Sequence, residues 1–347
     1  MNVSTPQDKL TAKDYASDQE VRWCPGCGDY AILKAMQKTL ADLKAKREDT
    51  VFISGIGCSS RFPYYMSSYG FHTIHGRAPA IATGIKLANP DLDVWLVTGD
   101  GDGMSIGGNH MLHVLRRNVD MQILLFNNEI YGLTKGQYSP TSRLGTRSPS
   151  TPGGSIDSPV HPTTFALGSG ARFIARSTDK LMKHMPVMFE RALQHKGASF
   201  VEILQNCIIY NDAVFEEFTD KSQSPETTLM VEHGKPMVFG KDGEKGIRIK
   251  PGTLVPEVVT LGEDGVSEAD LLVHDETDAT LAHMLTTLAP PEFPLALGVL
   301  YCDPTESYEN RVHGRVEDLP AEQIVDRAAI KADMDKIFLQ TGTWTVE

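Results

Sequence analysis

Two carboxylates and two amides, each set just beyond an apolar run, are the residues of this sequence best suited to chemistry. Val94 to Val97 runs through Thr98 into Gly99-Asp100-Gly101-Asp102-Gly103. One helix-length later, Ile123 to Phe126 meets Asn127-Asn128. This reads as strand, loop, helix, strand, with hard oxygen donors at both strand ends. Ligands of open parallel sheets bind outside the carboxyl ends of the strands. Mg²⁺ takes one or two protein carboxylates and fills its octahedron with phosphate and water oxygens. The glycines let backbone N–H groups approach a diphosphate closely. Together these residues describe a cradle for a Mg²⁺-diphosphate.

Sulfur forms a second group. Cys24 and Cys27 stand in W-C-P-G-C-G-D, Cys58 in S-G-I-G-C-S-S and Cys207 in E-I-L-Q-N-C. C-x-x-C turns two thiolates toward one centre, and the other two cysteines each follow an apolar run. Four thiolates suit tetrahedral Zn²⁺ or a [4Fe–4S] cluster, and spacing alone does not choose between them. A thioredoxin-like redox pair is a third reading of C-P-G-C.

The elements that must position these groups alternate. Val51 to Gly55, Val94 to Thr98, Met121 to Phe126 and Phe200 to Leu204 read as strands. Pro79 to Ala88, Ser105 to Arg117 and Thr178 to His195 read as helices. Such alternation predicts an α/β fold built on a doubly wound parallel sheet. Tyr138 to Pro162 is rich in Ser, Thr, Pro and Gly, and a loop of that length in a compact domain is usually functional. Beyond residue 210 the texture changes. His233 to Ile249 reads as a β-hairpin turning at Lys241-Asp242-Gly243, Glu268 to Leu288 as a helix, and Leu295 to Cys302 as a strand. Three segments are therefore expected: an N-terminal arm (1–20), a ligand-binding domain (21–210) and a C-terminal α+β extension (211–347).

Composition narrows the partners. The 347 residues are 41% apolar, ordinary for a globular chain. A net charge of −12 and a pI near 5.4 argue against a nucleic-acid partner. No apolar run approaches the roughly 20 residues of a membrane span. The first ten residues hold no apolar signal core, so the expected location is cytoplasmic and the cysteines read as thiols or ligands, not disulfides.

G-D-G followed at this spacing by N-N-E-I-Y-G-L-T resembles the thiamine diphosphate motif, the alternative being a plain glycine-rich nucleotide turn. With W-C-P-G-C-G, G-I-G-C and H-G-R-A-P-A-I-A-T-G-I-K-L-A-N-P, the chain resembles the β subunit of the two-subunit 2-oxoacid:ferredoxin oxidoreductases, most of all those acting on 2-oxoglutarate. The likeness is dense from about residue 20 to 212 and looser through the hairpin and A-L-G-V-L-Y. It implies a sheet of the thiamine diphosphate-binding type. It implies Mg²⁺ on Asp100, Asn128 and the Ile130 carbonyl, and a [4Fe–4S] cluster on Cys24, Cys27, Cys58 and Cys207. Gly57, His75, Gly76, Gly99, Gly101, Asp102, Tyr131, Gly132, Leu133 and Thr134 would surround the cofactor, Asp102 without touching the metal. His75 would stand near the reacting centre, and Lys135 near a substrate carboxylate.

The implied reaction is reversible oxidative decarboxylation of a 2-oxoacid with coenzyme A, electrons leaving through the cluster to ferredoxin. Pyruvate or a broad range of 2-oxoacids is the alternative substrate. The activating Glu of this family lies on a separate α subunit, and only one cofactor-binding half is found here, so an (αβ)₂ assembly is expected. The Pro79 helix and the Tyr138–Pro162 loop should face that partner. Two other classes stay open: a non-oxidative thiamine diphosphate lyase with structural zinc, and a non-catalytic iron–sulfur protein. Cys302 is expected to be a buried structural thiol. His110 and His113 are read as packing residues, not as a metal pair, and His72 and Arg77 as supporting the site or local structure.

Overall fold

The computed structural model describes residues 10–317 together with Ala332, Met334 and Lys336. Strands Thr50–Ser54 (β1), Tyr69–His72 (β2), Asp93–Gly99 (β3) and Met121–Asn127 (β4) come first. Two short pairs of residues, Ile130–Tyr131 (β5) and Gln137–Tyr138 (β6), form a ribbon of their own, followed by Phe173–Thr178 (β7) and Ala198–Leu204 (β8). Then come Thr228–Val231 (β9), Val238–Phe239 (β10), Lys245–Ile249 (β11), Pro256–Thr260 (β12) and Leu295–Cys302 (β13). Among the described residues the main sheet has the order β2-β1-β3-β4-β8-β7-β13-β9. Neighbours are parallel throughout, except that β13 runs antiparallel to β7.

The sheet is central because its strands are apolar on both faces. Every residue of β1, β4, β7 and β8 is buried, as expected where helices cover both sides of a parallel sheet. The covering helices are Asp29–Asp42 (α1), Ala78–Ala88 (α2), Gly108–Arg117 (α3), Pro162–Gly168 (α4), His184–Gln194 (α5) and Ala279–Thr287 (α6). Side chains alternate between two cores. Ile53, Leu96, Ile123 and Phe200 meet α2, α3, α4 and α6 on one side. Phe52, Trp95, Leu124 and Val201 meet α1 and α5 on the other. This is the doubly wound α/β fold the alternation predicts.

Several boundaries differ from expectation. The helix expected over Ser105–Arg117 starts only at Gly108 as α3; a separate short helix at Asp100–Met104 precedes it, and the chain breaks at Ser105 to Gly107 between the two. The break lies where Gly107 meets Gly76 so closely that a Cβ on Gly76 would stand 2.5 Å from the Gly107 nitrogen. Thr178 ends strand β7, and the helix expected from that residue starts only at His184. The helix expected over Glu268–Leu288 shrinks to a 3₁₀ turn at Glu268–Asp270 and α6, because residues between them hydrogen-bond along β11 instead, Leu272 N–H donating to the Ile247 carbonyl at 2.8 Å. The expected hairpin forms as β10 and β11, with β12 as a third strand. Residues 1–9 of the N-terminal arm and the chain past Glu317 lie outside the described residues, those three positions apart. The described arm is docked: Tyr15 is fully buried and its hydroxyl donates to the Ala45 carbonyl at 2.5 Å. Strands β9 and β13 complete the main sheet from beyond residue 210, so that position does not divide the sheet.

Candidate active site

The carboxyl ends of β1, β3, β4 and β8 deliver Gly55 to Cys58, Asp100 to Asp102, Asn128 and Gln205 to Cys207 to one edge of the sheet. Two clefts open there. The first, about 470 Å³, is lined by Gly57, His75, Gly99, Asp100, Gly101, Asp102, Asn128, Ile130, Tyr131, Gly132, Leu133 and Thr134, among others. Every residue proposed to hold the diphosphate cofactor is in this lining except Gly76, whose N–H donates to Asp102 Oδ1 at 2.9 Å.

The two carboxylates are held differently. Asp102 is buried and fully engaged: Oδ1 meets His75 Nδ1 at 2.7 Å as well as the Gly76 N–H, and Oδ2 accepts from Thr98 Oγ1 at 2.9 Å. It therefore fixes His75 at the cleft rim. Gly55 is required beneath it, since a Cβ there would stand 1.8 Å from Asp102 Oδ2. Asp100 Oδ2 accepts from Thr141 Oγ1 at 2.8 Å. Burial raises the Asp100 carboxyl above the usual range, and donors from Ser139, Thr141 and the Asn128 N–H oppose the rise. Hydrogen-bond donors, not a basic side chain, steady this buried acid, which leaves its charge to be matched by a cation.

The second segment expected to hold the metal is a tight turn. Glu129 sits in the left-handed region at φ 54°, and its carbonyl accepts from Ser142 Oγ at 2.5 Å. Asn128 Nδ2 donates to Gln205 Oε1 at 2.8 Å, and Asn128 Oδ1 accepts the Ile130 N–H at 3.2 Å. Asn127 turns away from the cleft and donates to Glu202 Oε1 at 2.8 Å. Tyr131 folds back over the G-D-G turn, its hydroxyl donating to the Gly101 carbonyl at 2.9 Å. Asp100, Asn128 and Ile130 thus line one cleft with the donor set Mg²⁺ prefers, and they fit a Mg²⁺-diphosphate.

The second cleft, about 760 Å³, is lined by all four cysteines read as ligands, Cys24, Cys27, Cys58 and Cys207, with Trp23, Arg61, Lys135 and Gln205. Lys135, expected near a substrate carboxylate, is exposed at this cleft and does not line the first. Cys58, Asn128, Gly132 and Leu133 line both clefts and form their shared wall. That wall is thin at Gly132, where a Cβ would stand 3.4 Å from Cys207 Sγ and 3.7 Å from Cys58 Sγ.

Burial drives the Cys27 thiol far above its usual range, pushes Cys58 up to about 12 and raises Cys207; Asp29 adds to each shift, neighbouring sulfurs add to those of Cys27 and Cys58, and backbone N–H groups of Ile209, Tyr210 and Asn211 oppose that of Cys207. The set calls for positive charge at its centre, and the cavity has room for a polynuclear group. Among the described residues no group of three or more His, Cys, Asp and Glu side chains is arranged to hold a single ion. Cys302 lies apart, half-buried at the end of β13 with Glu276 and Arg191 beside it. His110 contacts Arg77 on a partly exposed helix face, and His113 is also partly exposed. Burial lowers His72 below the usual histidine range.

Sequence reasoning missed Ser139, Thr141 and Ser142, three buried hydroxyls behind the Asp100 and Asn128 turns, although the Ser/Thr-rich loop is itself a signal. It also missed Gln205, which stands in E-I-L-Q-N-C immediately after an apolar run.

Fold and site together define a thiamine diphosphate-dependent enzyme subunit. The C-terminal TPP-binding domain of thiamine pyrophosphate enzymes matches residues 55–203. The 2-oxoglutarate oxidoreductase subunit KorB of Mycobacterium tuberculosis is 46% identical over 348 residues, 99% of this chain and 91% of the relative. The beta subunit of 2-oxoacid:ferredoxin oxidoreductase 1 from Aeropyrum pernix is 47% identical over 196 residues, 56% of this chain and 62% of the relative. A solved 2-oxoglutarate:ferredoxin oxidoreductase from Magnetococcus marinus, with 2-oxoglutarate, coenzyme A and succinyl-CoA bound, superposes with a TM-score of 0.74 at 32% identity over 97% of both chains. The chain belongs to the β-subunit family of the 2-oxoacid:ferredoxin oxidoreductases.

Proposed function

We propose that this chain is the β subunit of a 2-oxoglutarate:ferredoxin oxidoreductase, converting 2-oxoglutarate and coenzyme A reversibly to an acyl-CoA and CO₂. The observation that carries the reading is the shared wall: an oxygen-lined cleft of diphosphate type and a four-thiol cavity meet at Gly132. The 2-oxoglutarate preference rests on the names of the long relative and of the solved neighbour. When bound, thiamine diphosphate supplies the carbanion chemistry of 2-oxoacid decarboxylation and an iron–sulfur cluster accepts the electrons one at a time.

The chain's own residues bind and orient. Asp100, Asn128 and the Ile130 carbonyl hold Mg²⁺, and the Gly99–Gly101 and Tyr131–Thr134 turns receive the diphosphate. His75, anchored by Asp102, stands at the cleft rim, where it can hold or pass a proton. Cys24, Cys27, Cys58 and Cys207 would hold a [4Fe–4S] cluster, which would accept electrons singly. Lys135 faces the same side and steers an anionic substrate or carrier.

Exposed Phe71, Ile74 and Ile81 line an open groove with Arg77 and His110. An α subunit covers that face, bringing the activating Glu, and pairs as (αβ)₂ in the cytoplasm; ferredoxin collects the electrons. The test is anaerobic purification followed by a visible spectrum, metal analysis and thiamine analysis. A brown protein with iron and thiamine diphosphate, inert alone and active with viologen dye and coenzyme A once an α subunit is added, is the expected result. A colourless, zinc-loaded protein with thiamine diphosphate points to the lyase reading. A brown protein that never retains the cofactor points to a non-catalytic iron–sulfur protein.

A further inference from the structure

Among the described residues, Gln205 is the one side chain hydrogen-bonded to a proposed metal-holding residue of each cleft. It is 1% exposed, and its backbone N–H is pinned to the Asn127 carbonyl at 2.8 Å. Its Nε2 donates to the Asn206 carbonyl at 2.6 Å and to Cys27 Sγ at 3.3 Å. Its Oε1 accepts from Asn128 Nδ2 at 2.8 Å. We infer that Gln205 is a shared positioning residue: it fixes the Asn128 amide so that oxygen, not nitrogen, is offered to the metal, and it supplies an N–H···S bond to the cluster ligand Cys27. The inference rests on the two sites proposed above.

The amide orientations follow by elimination. A backbone carbonyl can only accept, so the end of Gln205 facing the Asn206 carbonyl must be its NH₂ group. The other end is then a carbonyl oxygen, and the end of Asn128 that meets it must be NH₂. Asn128 Oδ1 is left on the opposite side, where the Ile130 N–H requires an acceptor. A carbonyl oxygen has two lone pairs, and this one N–H uses a single one. An Asn free to rotate would offer NH₂ to the cation in one of its two orientations. Residues that orient a metal ligand in this way typically change affinity by about 10–100-fold when removed. Hydrogen bonds to sulfur are among the levers that set a cluster's potential. A donor stabilises the more negative reduced state, so its loss makes the potential more negative.

Two substitutions separate the roles. Gln205→Leu removes both contacts, whereas Gln205→Glu keeps an acceptor for Asn128 and loses the donor to sulfur. The readouts are Mn²⁺ affinity in the presence of thiamine diphosphate, followed by electron paramagnetic resonance of the free ion, and the cluster's midpoint potential from a dye-mediated titration. Both are measured on the purified αβ complex without 2-oxoacid. Gln205→Leu is expected to weaken Mn²⁺ binding by at least about tenfold and to shift the potential negative. Gln205→Glu is expected to retain the affinity while shifting the potential negative, and being nearly isosteric it carries the test if the leucine variant does not fold. Unchanged affinity in Gln205→Leu alongside a large loss in Asn128→Ala would overturn the inference and leave the metal site standing. Unchanged affinity in Asn128→Ala as well would remove the metal site itself. A potential that does not move in Gln205→Glu would overturn the sulfur half.

Discussion

The oxygen-lined cleft and the thiol cavity share a wall, but they differ in how much of their geometry the chain holds by itself. In the first, Asp102 is tied by three hydrogen bonds, Asp100 by hydroxyl and amide donors, and the Asn128 turn by Ser142 and Gln205. In the second, Cys27 receives the Gln205 amide and the Asp29 backbone N–H, Cys207 receives the backbone N–H groups of Ile209, Tyr210 and Asn211, and burial raises Cys27, Cys58 and Cys207. Hard oxygen ligands of a hydrated cation can be preorganised by neutral donors. Soft thiolates receive N–H donors too, but each must also lose a proton before it binds, so their site is completed only by the metal. The oxygen cleft should therefore persist when the thiol cavity is empty, and the reverse dependence should also be weak.

Crossed substitutions give the largest expected effect. Replacing Cys24, Cys27, Cys58 or Cys207 by Ala should bleach or damage the brown chromophore and abolish ferredoxin reduction while thiamine diphosphate is retained. Asp100→Ala should abolish cofactor retention while the chromophore stays, and Cys302→Ala should change neither. If Asp100→Ala also destroyed the chromophore, the two sites would be one cooperative unit and the comparison would fail.

A smaller effect tests preorganisation alone. Gly55→Ala places a methyl group where the Asp102 carboxylate now lies, so the carboxylate must turn and release His75 and the Gly76 N–H. Overpacking of this kind costs about 1–3 kcal/mol. Calorimetry should show a lower Tm, and cofactor affinity should fall with the cluster spectrum unchanged. Native Tm and affinity in that variant would show that Asp102 need not be held there.

The smallest effect lies away from both clefts and is their control. His195 is buried, neither ring nitrogen has a hydrogen-bond partner among the described residues, and burial holds it down to about 4 from an ordinary 6.5. The unfolded chain therefore takes up this proton first. The stability present above pH 6.5 is lost as pH falls toward 4. His195→Phe should make the decline of Tm between pH 6.5 and 4 shallower without altering either cofactor. An equally steep decline would mean that His195 is not held neutral.

Much of the oxygen cleft is legible in the sequence, because its residues follow directly on apolar strands. Asp100 and Asn128 are adjacent in the chain to the runs that fix them, and the parallel sheet obliges those strand ends to meet. The boundaries that differ from expectation lie where a tertiary contact overrides a local pattern. Apolar spacing from Ser105 has the look of a helix start, but close contact of Gly76 with Gly107 breaks the chain there. Strand β13 reads as part of a separate extension, yet it pairs with β7 and β9 in the main sheet.

The sequence by itself determined the ligand types, the doubly wound fold and the pairing of an oxygen site with a sulfur site, since these depend on residue identity and near-neighbour spacing. Only the tertiary structure decided that the two clefts share the wall at Gly132, that Lys135 faces the sulfur side, and that Ser139, Thr141, Ser142 and Gln205 stand behind Asp100 and the Asn128 turn. Those placements depend on contacts between segments far apart in the chain, such as Asn128 with Gln205 and Asp100 with Thr141. An amide or hydroxyl in a polar loop carries no mark of which distant partner it will meet. Its direction is set when the sheet brings two strand ends together and buried polar groups must find one another.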